Sequence, residues 1–321
     1  MTLGLYSSMK DLLMLSAQPK IAVLLAAYNG MQWIEEQLAS IQAQERVEVH
    51  IFISDDSSTD GTGAWIDAYA ERHPNVTSLP PIEPCGGAAR NFFHLLRDAD
   101  LGSFDLVALA DQDDRWHTDK LDRAASILAN GSAAVYSSNV TAFWPDGRIQ
   151  LLDKAQEQVQ WDHYFEAAGP GCTYVMTNGF CTFLKECIHA EWHAIQEITL
   201  HDWYIYALAR CNGYTWHIDT QSTLEYRQHL GNQVGANVGA SALLSRYKTI
   251  RNGWWFAQVK LIESQVNIQK PDLYRPSWRS LGRRQIFLLG LQANRCRRRT
   301  RDRLLFSGLC MLTAIIGAQI K

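Results

Sequence analysis

Leu106-Val107-Ala108-Leu109-Ala110-Asp111-Gln112-Asp113-Asp114 is an apolar run that ends in three carboxylates within four positions. The apolar part reads as a buried strand, with the acids at its carboxyl end. Charges this close repel, so a fold places them where water reaches, or around a cation. Hard cations such as Mg²⁺ and Mn²⁺ take carboxylate oxygens and often share them with substrate phosphates. A strand entering Asp-x-Asp therefore suggests a metal that holds a diphosphate. An acidic turn capping the helix near Asp119 explains the same residues without a ligand.

Outward from this stretch, strands and helices alternate. Ile21 to Ala27 is a continuous apolar run ending in Tyr28-Asn29-Gly30, a buried parallel strand and its turn. Ile34, Leu38 and Ile41 recur at helical spacing. Val47, Val49, Ile51 and Ile53 alternate into Ser54-Asp55-Asp56, a second strand, and Ser57 to Thr62 reads as turn and cap. Helical patterns cover 64–72, 89–98 and 120–129, with short strands near 76–79 and 133–137. This alternation predicts an α/β fold with a mainly parallel central sheet flanked by helices. Ligands of such sheets bind beyond the carboxyl ends of strands. Tyr28, Asp55-Asp56 and Asp111-Asp113 all fall there, on one edge. Beyond Trp144 the pattern blurs. It holds a strand-like run, Tyr174-Val175-Met176, a helix opened by Leu200-His201-Asp202-Trp203, and a short strand at 216–218.

The chain has 321 residues, 47% hydrophobic and 20% charged, which suits a globular protein with a sizeable core. Seven cysteines without a Cys-x-x-Cys indicate neither a disulfide framework nor a zinc knuckle, and fit a reducing compartment. Lys10 and Asp11 interrupt the N-terminal apolar stretch, so no secretory signal is expected. The net charge of −3 conceals an asymmetry, because Arg246 to Arg303 carries 15 basic side chains against 3 acids.

Ala26-Ala27-Tyr28-Asn29-Gly30, Ser54-Asp55-Asp56 with Ser57 to Thr62, and Asp111-Gln112-Asp113-Asp114 together resemble the signature of family 2 inverting glycosyltransferases, which have the GT-A fold. The resemblance spans about residues 20–230. Arg90-Asn91-Phe92, Trp116 with Lys120-Leu121, Gly171-Cys172-Thr173, His201-Asp202-Trp203 and Tyr226 to His229 look like its rhamnosyltransferase branch. The resemblance implies a nucleotide-sugar donor, plausibly dTDP-L-rhamnose, a divalent cation (Mg²⁺ or Mn²⁺), and a saccharide or lipid-linked acceptor in a growing bacterial surface polysaccharide.

Roles follow from that chemistry. Ala27 and Tyr28 meet the nucleotide, with the Tyr28 ring against a pyrimidine. Asp56 accepts from the base N3–H, unless it and Asp55 are only turn and cap residues. Arg90 pairs with the base region or diphosphate, or is a surface arginine. Asp113 is the implied metal ligand, Asp111 contacts ribose or metal, and Asp114 stands behind them or caps a helix. His229 matches a late metal ligand of some family members, with an ordinary surface histidine as the alternative. Asp202, at a helix start, is the implied general base that takes a proton from the acceptor hydroxyl, or simply a helix cap. Cys172, Thr173, His201 and Trp203 are assigned to the acceptor or donor sugar, with structural packing as the competing account.

The motifs end near His229, so residues 1–235 form the catalytic domain, with a nucleotide half at 20–140 and an acceptor half at 141–235. Residues 236–321 form a helical, basic C-terminal extension. Trp254-Trp255-Phe256, Trp278 and Ile286 to Leu291 interleave with Arg279, Arg283 and Arg284. Arg295 to Arg303 follow, then the uncharged stretch Leu304 to Ile320. That stretch is shorter than the roughly 20 apolar residues of a spanning helix. It fits an interfacial helix beside anionic lipid. The expectation is a cytoplasmic protein, peripheral at the inner face of the cytoplasmic membrane, which stays soluble and binds nucleotide when cut before Arg295. A basic helical face that closes the domain is the alternative. No motif supports nucleic-acid binding. Other functions for the same site are a sugar-nucleotide-binding protein without transfer, or a nucleotidyltransferase. The Gly-rich basic loop usual for the latter after the first strand is missing.

Overall fold

The structure is a computed structural model and describes residues 18–80, 84–229, 253–266 and 282–316. The expected domain boundary at 235/236, Trp278, Arg279 and the end of the apolar stretch beyond Ile316 lie outside them.

β1 (Lys20–Ala27) buries all but its first residue, because helices cover both faces of the sheet. It pairs in parallel with β2 (Glu48–Asp55) and β4 (Leu106–Asp111), and β2 pairs in parallel with β3 (Val76–Ser78). The register sets Ala27 against Asp55 and Ala26 against Asp111, so the three motif loops leave the sheet side by side. α1 (Ile34–Gln42), α2 (Thr62–Ala70), α3 (Ala88–Asp98) and α4 (Lys120–Ala129) complete the nucleotide half.

The second half of the sheet is mixed. β8 (Val175–Thr177) runs antiparallel between β4 and β6 (Val135–Phe143), while β6 runs parallel to β9 (Trp216–Arg227). β5 (Arg115–Trp116) pairs with β9 and β7 (Ile149–Leu152) with β6, both antiparallel. The strands that carry the first motifs thus form the all-parallel part of the sheet, and parallel pairing recurs between β6 and β9. β8, antiparallel to both neighbours, needs no crossover helix, and it is entered from a short turn at Gly171–Thr173. It leads into α5 (Asn178–Ala190), and α6 (Trp192–Ile195) precedes α7 (His201–Cys211), which is buried along most of its length.

The C-terminal helices share the core of the acceptor half. They are α8 (Trp254–Val266), α9 (Arg283–Leu291), α10 (Ala293–Cys296) and α11 (Thr300–Ile316). Phe256, Val259, Ile262, Ile286, Leu289, Cys296 and Phe306 join one buried cluster with α3, α5 and α7. α9 and α11 approach closely at Gly290, where a Cβ would lie 2.9 Å from that of Cys310. The arginines between them are partly internal. Arg298 is 5% exposed; its Nη2 donates to Ala167 O at 2.6 Å and its backbone N–H to Glu166 Oε1 at 2.7 Å. Arg297 Nη1 donates to Phe165 O at 2.8 Å, and Trp161 N–H to Arg295 O at 2.7 Å. Among the described residues no helix is long and apolar enough to cross a membrane.

Candidate active site

The loop after β1 is stitched to the loop after β2. Asn29, at φ 48°, accepts from Thr59 N–H at 2.8 Å and donates its own N–H to Ser58 Oγ at 2.7 Å. Asp60 takes Thr62 N–H at 3.0 Å and Met31 N–H at 3.1 Å. Asp55 accepts from the backbone and hydroxyl of Ser58, which makes it a turn residue. Asp56 reaches further. It is buried at the cavity wall and accepts from the N–H groups of Cys85, Gly86 and Gly87, so it holds the loop that opens α3.

Gln112, the central residue of Asp-x-Asp, clasps the first loop. Tyr28 N–H donates to its Oε1 and its Nε2 donates to Tyr28 O, both at 2.8 Å. The amide fills the space where a side chain at Gly30 would stand, 2.1 Å from a Cβ there, so a larger residue would have to displace the clasp. Tyr28 itself is 56% exposed, with its ring free at the cavity mouth.

The acids converge as their positions suggest. Asp111, Asp114 and the Cys172 thiol present ligand atoms within 4.8 Å of one another. Asp113 Oδ2 meets His229 Nε2 at 2.6 Å, and the His229 ring stacks on Trp33 with centroids 4.1 Å apart. Arg227 fixes this corner, with its Nε donating to Asp113 O at 2.8 Å and its N–H to Asp114 Oδ1 at 3.2 Å. Burial, then the charges of Asp113 and Asp202, lift the Asp111 carboxyl to about 7. Burial, then Asp113 and Asp111, lift Asp114 well above the usual range, and its buried Oδ2 has no hydrogen-bond partner. Lys120 sits below with its Nζ 3.9 Å over the Trp116 ring. Crowded carboxylates with an unmet oxygen fit a hard divalent cation. The Cys172 thiol fits one poorly, since burial pushes its pKa well up and keeps it protonated.

A cavity of about 860 Å³ joins these residues to the acceptor half. Ala27, Tyr28, Asp56, Asp111, Asp113, His201, Asp202, Trp203 and His229 all line it. Asp202 lies in the first turn of α7, and its Oδ1 accepts from Trp203 N–H at 2.7 Å. Burial raises its carboxyl to about 6, against the opposing pull of that bond and of Lys154. His201 stacks on Phe92 at 4.1 Å, and burial lowers it to about 3, so it is neutral. Its Nε2 lies 2.4 Å from where a Cβ at Gly171 would stand, a close approach that only glycine permits. Trp203 anchors the helix by donating from Nε1 to His163 O at 3.0 Å.

Three expected contacts are not at the cavity wall. Arg90 donates to Gln196 O at 2.7 Å and Cys85 O at 3.3 Å, which makes it a brace for the loop that Asp56 holds. Cys172 and Thr173 are fully buried in the turn before β8, where the thiol contacts the acidic cluster and Thr173 Oγ1 donates to Pro170 O at 2.8 Å. Their neighbours Gly169, Pro170 and Gly171 take the lining positions instead. Sequence reasoning missed Gln112, Lys154 and Arg297 to Arg301 at this site. The arginine run was visible, but read as part of a membrane-associated extension, with a basic helical face that closes the domain as the alternative.

The chain belongs to glycosyl transferase family 2, whose model matches residues 22–189. It is a nucleotide-sugar glycosyltransferase, and its relatives agree. It is 45% identical over 243 residues to dTDP-rhamnosyl transferase RfbG of Shigella flexneri, across 75% of this chain and 84% of that one. It is 28% identical over 163 residues to TuaG of Bacillus subtilis, a putative teichuronic acid biosynthesis glycosyltransferase, across 50% and 62%. S. aureus TarS, in a structure with UDP-GlcNAc, is 14% identical with a TM-score of 0.54 over 94% of this chain and 93% of that one, so the two share the GT-A fold.

Proposed function

We propose that this protein transfers L-rhamnose, with inversion, from dTDP-L-rhamnose to a hydroxyl of a saccharide or lipid-linked acceptor during polysaccharide assembly. The observation that carries the reading is one cavity with an acidic cluster at a strand end and a buried, titratable Asp202 on its other side. The similarity to a dTDP-rhamnosyl transferase supports the choice of donor.

Tyr28 stacks on the thymine, and Asp56 with Ala27 bounds the base and ribose. Asp111 and Asp113, with His229 alongside, would hold a divalent cation, which would supply counter-charge for the departing diphosphate. Asp202 takes the acceptor proton as the new C1–O bond forms and the C1–O bond to the diphosphate breaks. Neutral His201 and the Gly169–Gly171 turn shape the space beside it. The test is thermal stabilisation of purified protein by dTDP, UDP and GDP with and without Mn²⁺. A ligand at 100 times its Kd adds about 2.7 kcal/mol, and dTDP with Mn²⁺ is expected to give the largest rise. Asp113→Asn is expected to keep the fold and lose the Mn²⁺-dependent part of that rise. Normal Mn²⁺-dependent binding by this variant would remove Asp113 from the metal site.

The C-terminal helices also support peripheral contact with the cytoplasmic face of the membrane. Phe287, Leu288, Leu291, Leu304 and Ile315 are exposed on α9 and α11, beside exposed Arg283, Arg284 and Arg301. Such a face suits the boundary between anionic headgroups and acyl chains. Full-length protein is expected to sediment with anionic liposomes at low salt and to be partly released by high salt, since charge is screened within roughly 10 Å at 0.1 M. Failure to sediment at low salt would remove the membrane from the account.

A further inference from the structure

The cavity has a second charged wall that the chemistry above leaves without a task. Lys154, after β7, lines the cavity together with Arg297, Arg298, Arg299 and Arg301. Asn139 Oδ1 pins the Lys154 backbone by accepting its N–H at 2.5 Å. Arg298 is buried, and its Nε and Nη1 have no hydrogen-bond partner. The nearby acids offset only part of this charge. Glu166 lies 3.5 Å from Arg297 and 3.4 Å from Arg298, Asp153 3.8 Å from Arg299, and Asp302 3.5 Å from Arg301, while buried Asp162 lies 3.7 Å from Arg298 but also pairs with Arg210 at 3.2 Å. Burial, then the charges of Arg299 and Arg298, hold the Lys154 ammonium below its usual range, against the opposing pull of Glu166.

This wall adjoins the reacting carboxylate, since Lys154 is the charge that favours ionised Asp202. Guanidinium forks and an ammonium match phosphate oxygens. The acidic cluster fits a cation that would balance the donor diphosphate, which leaves this wall for an anion on the other substrate. We propose that the wall is a subsite for a phosphate or diphosphate group carried by the acceptor. The proposal rests on the transferase reading above. Two kinds of acceptor carry that chemistry: a saccharide on a lipid diphosphate, and a glycan bearing phosphate.

The test is calorimetric titration of the full-length protein in EDTA, so that no metal bridges the anion. The probes are inorganic pyrophosphate and farnesyl diphosphate. Both are expected to bind, and Lys154→Met and Arg299→Ala each to weaken them at least about tenfold, the scale of one lost charge-assisted contact. Asp113→Asn should leave this binding intact. Binding of dTDP with Mn²⁺ should show the reverse pattern, lost in Asp113→Asn and kept in the other two. Tighter binding of farnesyl diphosphate than of pyrophosphate assigns the anion to a lipid carrier, and equal binding assigns it to a glycan phosphate; both uphold the subsite. Absence of binding, or equal binding by Lys154→Met and Arg299→Ala, overturns it. Loss of dTDP binding in those two variants makes the wall the donor's and also overturns it, while the transferase reading stands. Without ligand, Lys154→Met should melt above the wild type, because it removes a repelled charge. A lower melting point would mean the protein already satisfies Lys154, against the proposal.

Discussion

Asp202→Asn is expected to bind dTDP as the wild type does and to transfer sugar roughly 10²- to 10⁴-fold more slowly, the usual contribution of a general base. The pH profile adds a second signature. Burial places the Asp202 carboxyl at about 6, so the base ionises as pH rises through that value. Wild-type transfer should climb through about pH 6 and level off above it, and the residual activity of the variant should lack that step. Stability should move the opposite way. A carboxyl whose pKa is raised on folding favours the folded state below its unfolded value, and that contribution is lost as pH rises through the folded one. Above pH 6 the asparagine variant should therefore melt higher than the wild type. Its Oδ1 can still accept from Trp203 N–H, as Asp202 Oδ1 does at 2.7 Å. A mere helix cap would give near wild-type turnover, and measuring rate and melting temperature across pH 5–8 decides the matter.

Cutting the chain before Arg295 is expected to unfold the acceptor half, contrary to what the sequence alone suggests. The cut removes Cys296, Phe306 and Cys310 from the shared core and Arg297 and Arg298 from Glu166. Loss of a buried Phe side chain costs about 3–5 kcal/mol, and breaking a buried ion pair costs a similar amount. Together these approach the whole stability of a domain, about 5–15 kcal/mol. Circular dichroism of the truncated protein should show no cooperative melt above 25 °C. A cooperative melt with retained dTDP binding would restore the separable extension.

Much of the nucleotide half was legible because its strands are uninterrupted. Ile21 to Ala27 and Leu106 to Ala110 have apolar neighbours on both faces, and so announce themselves. β6 and β9 did not. β6 continues through Ser137, Ser138 and Asn139, which are buried but polar. Ser137 Oγ receives Trp216 Nε1–H at 2.9 Å, and Asn139 Nδ2 donates to Thr220 O at 2.8 Å. β9 contains Asp219 to Ser222, where its register with β6 shifts. Polar residues satisfied by a neighbouring strand look like loop in a one-dimensional reading. The acidic cluster was visible because its residues are adjacent in sequence. The basic wall was not, because nothing in the order of residues tells that Lys154 meets Arg299. Arginines that face carbonyl groups inside a fold are spelled the same as arginines in water.

The two-bond clasp between Gln112 and Tyr28 has a consequence for substrate choice. The ends of β1 and β4 carry the proposed contacts for the two ends of the donor, and the clasp leaves no hinge between them. Their spacing acts as a fixed gauge. On the proposed roles, a nucleoside diphosphate should span both stops, whereas a nucleoside monophosphate should reach only one. Discrimination by ligand length then needs no moving part, because the ruler is a single side-chain amide.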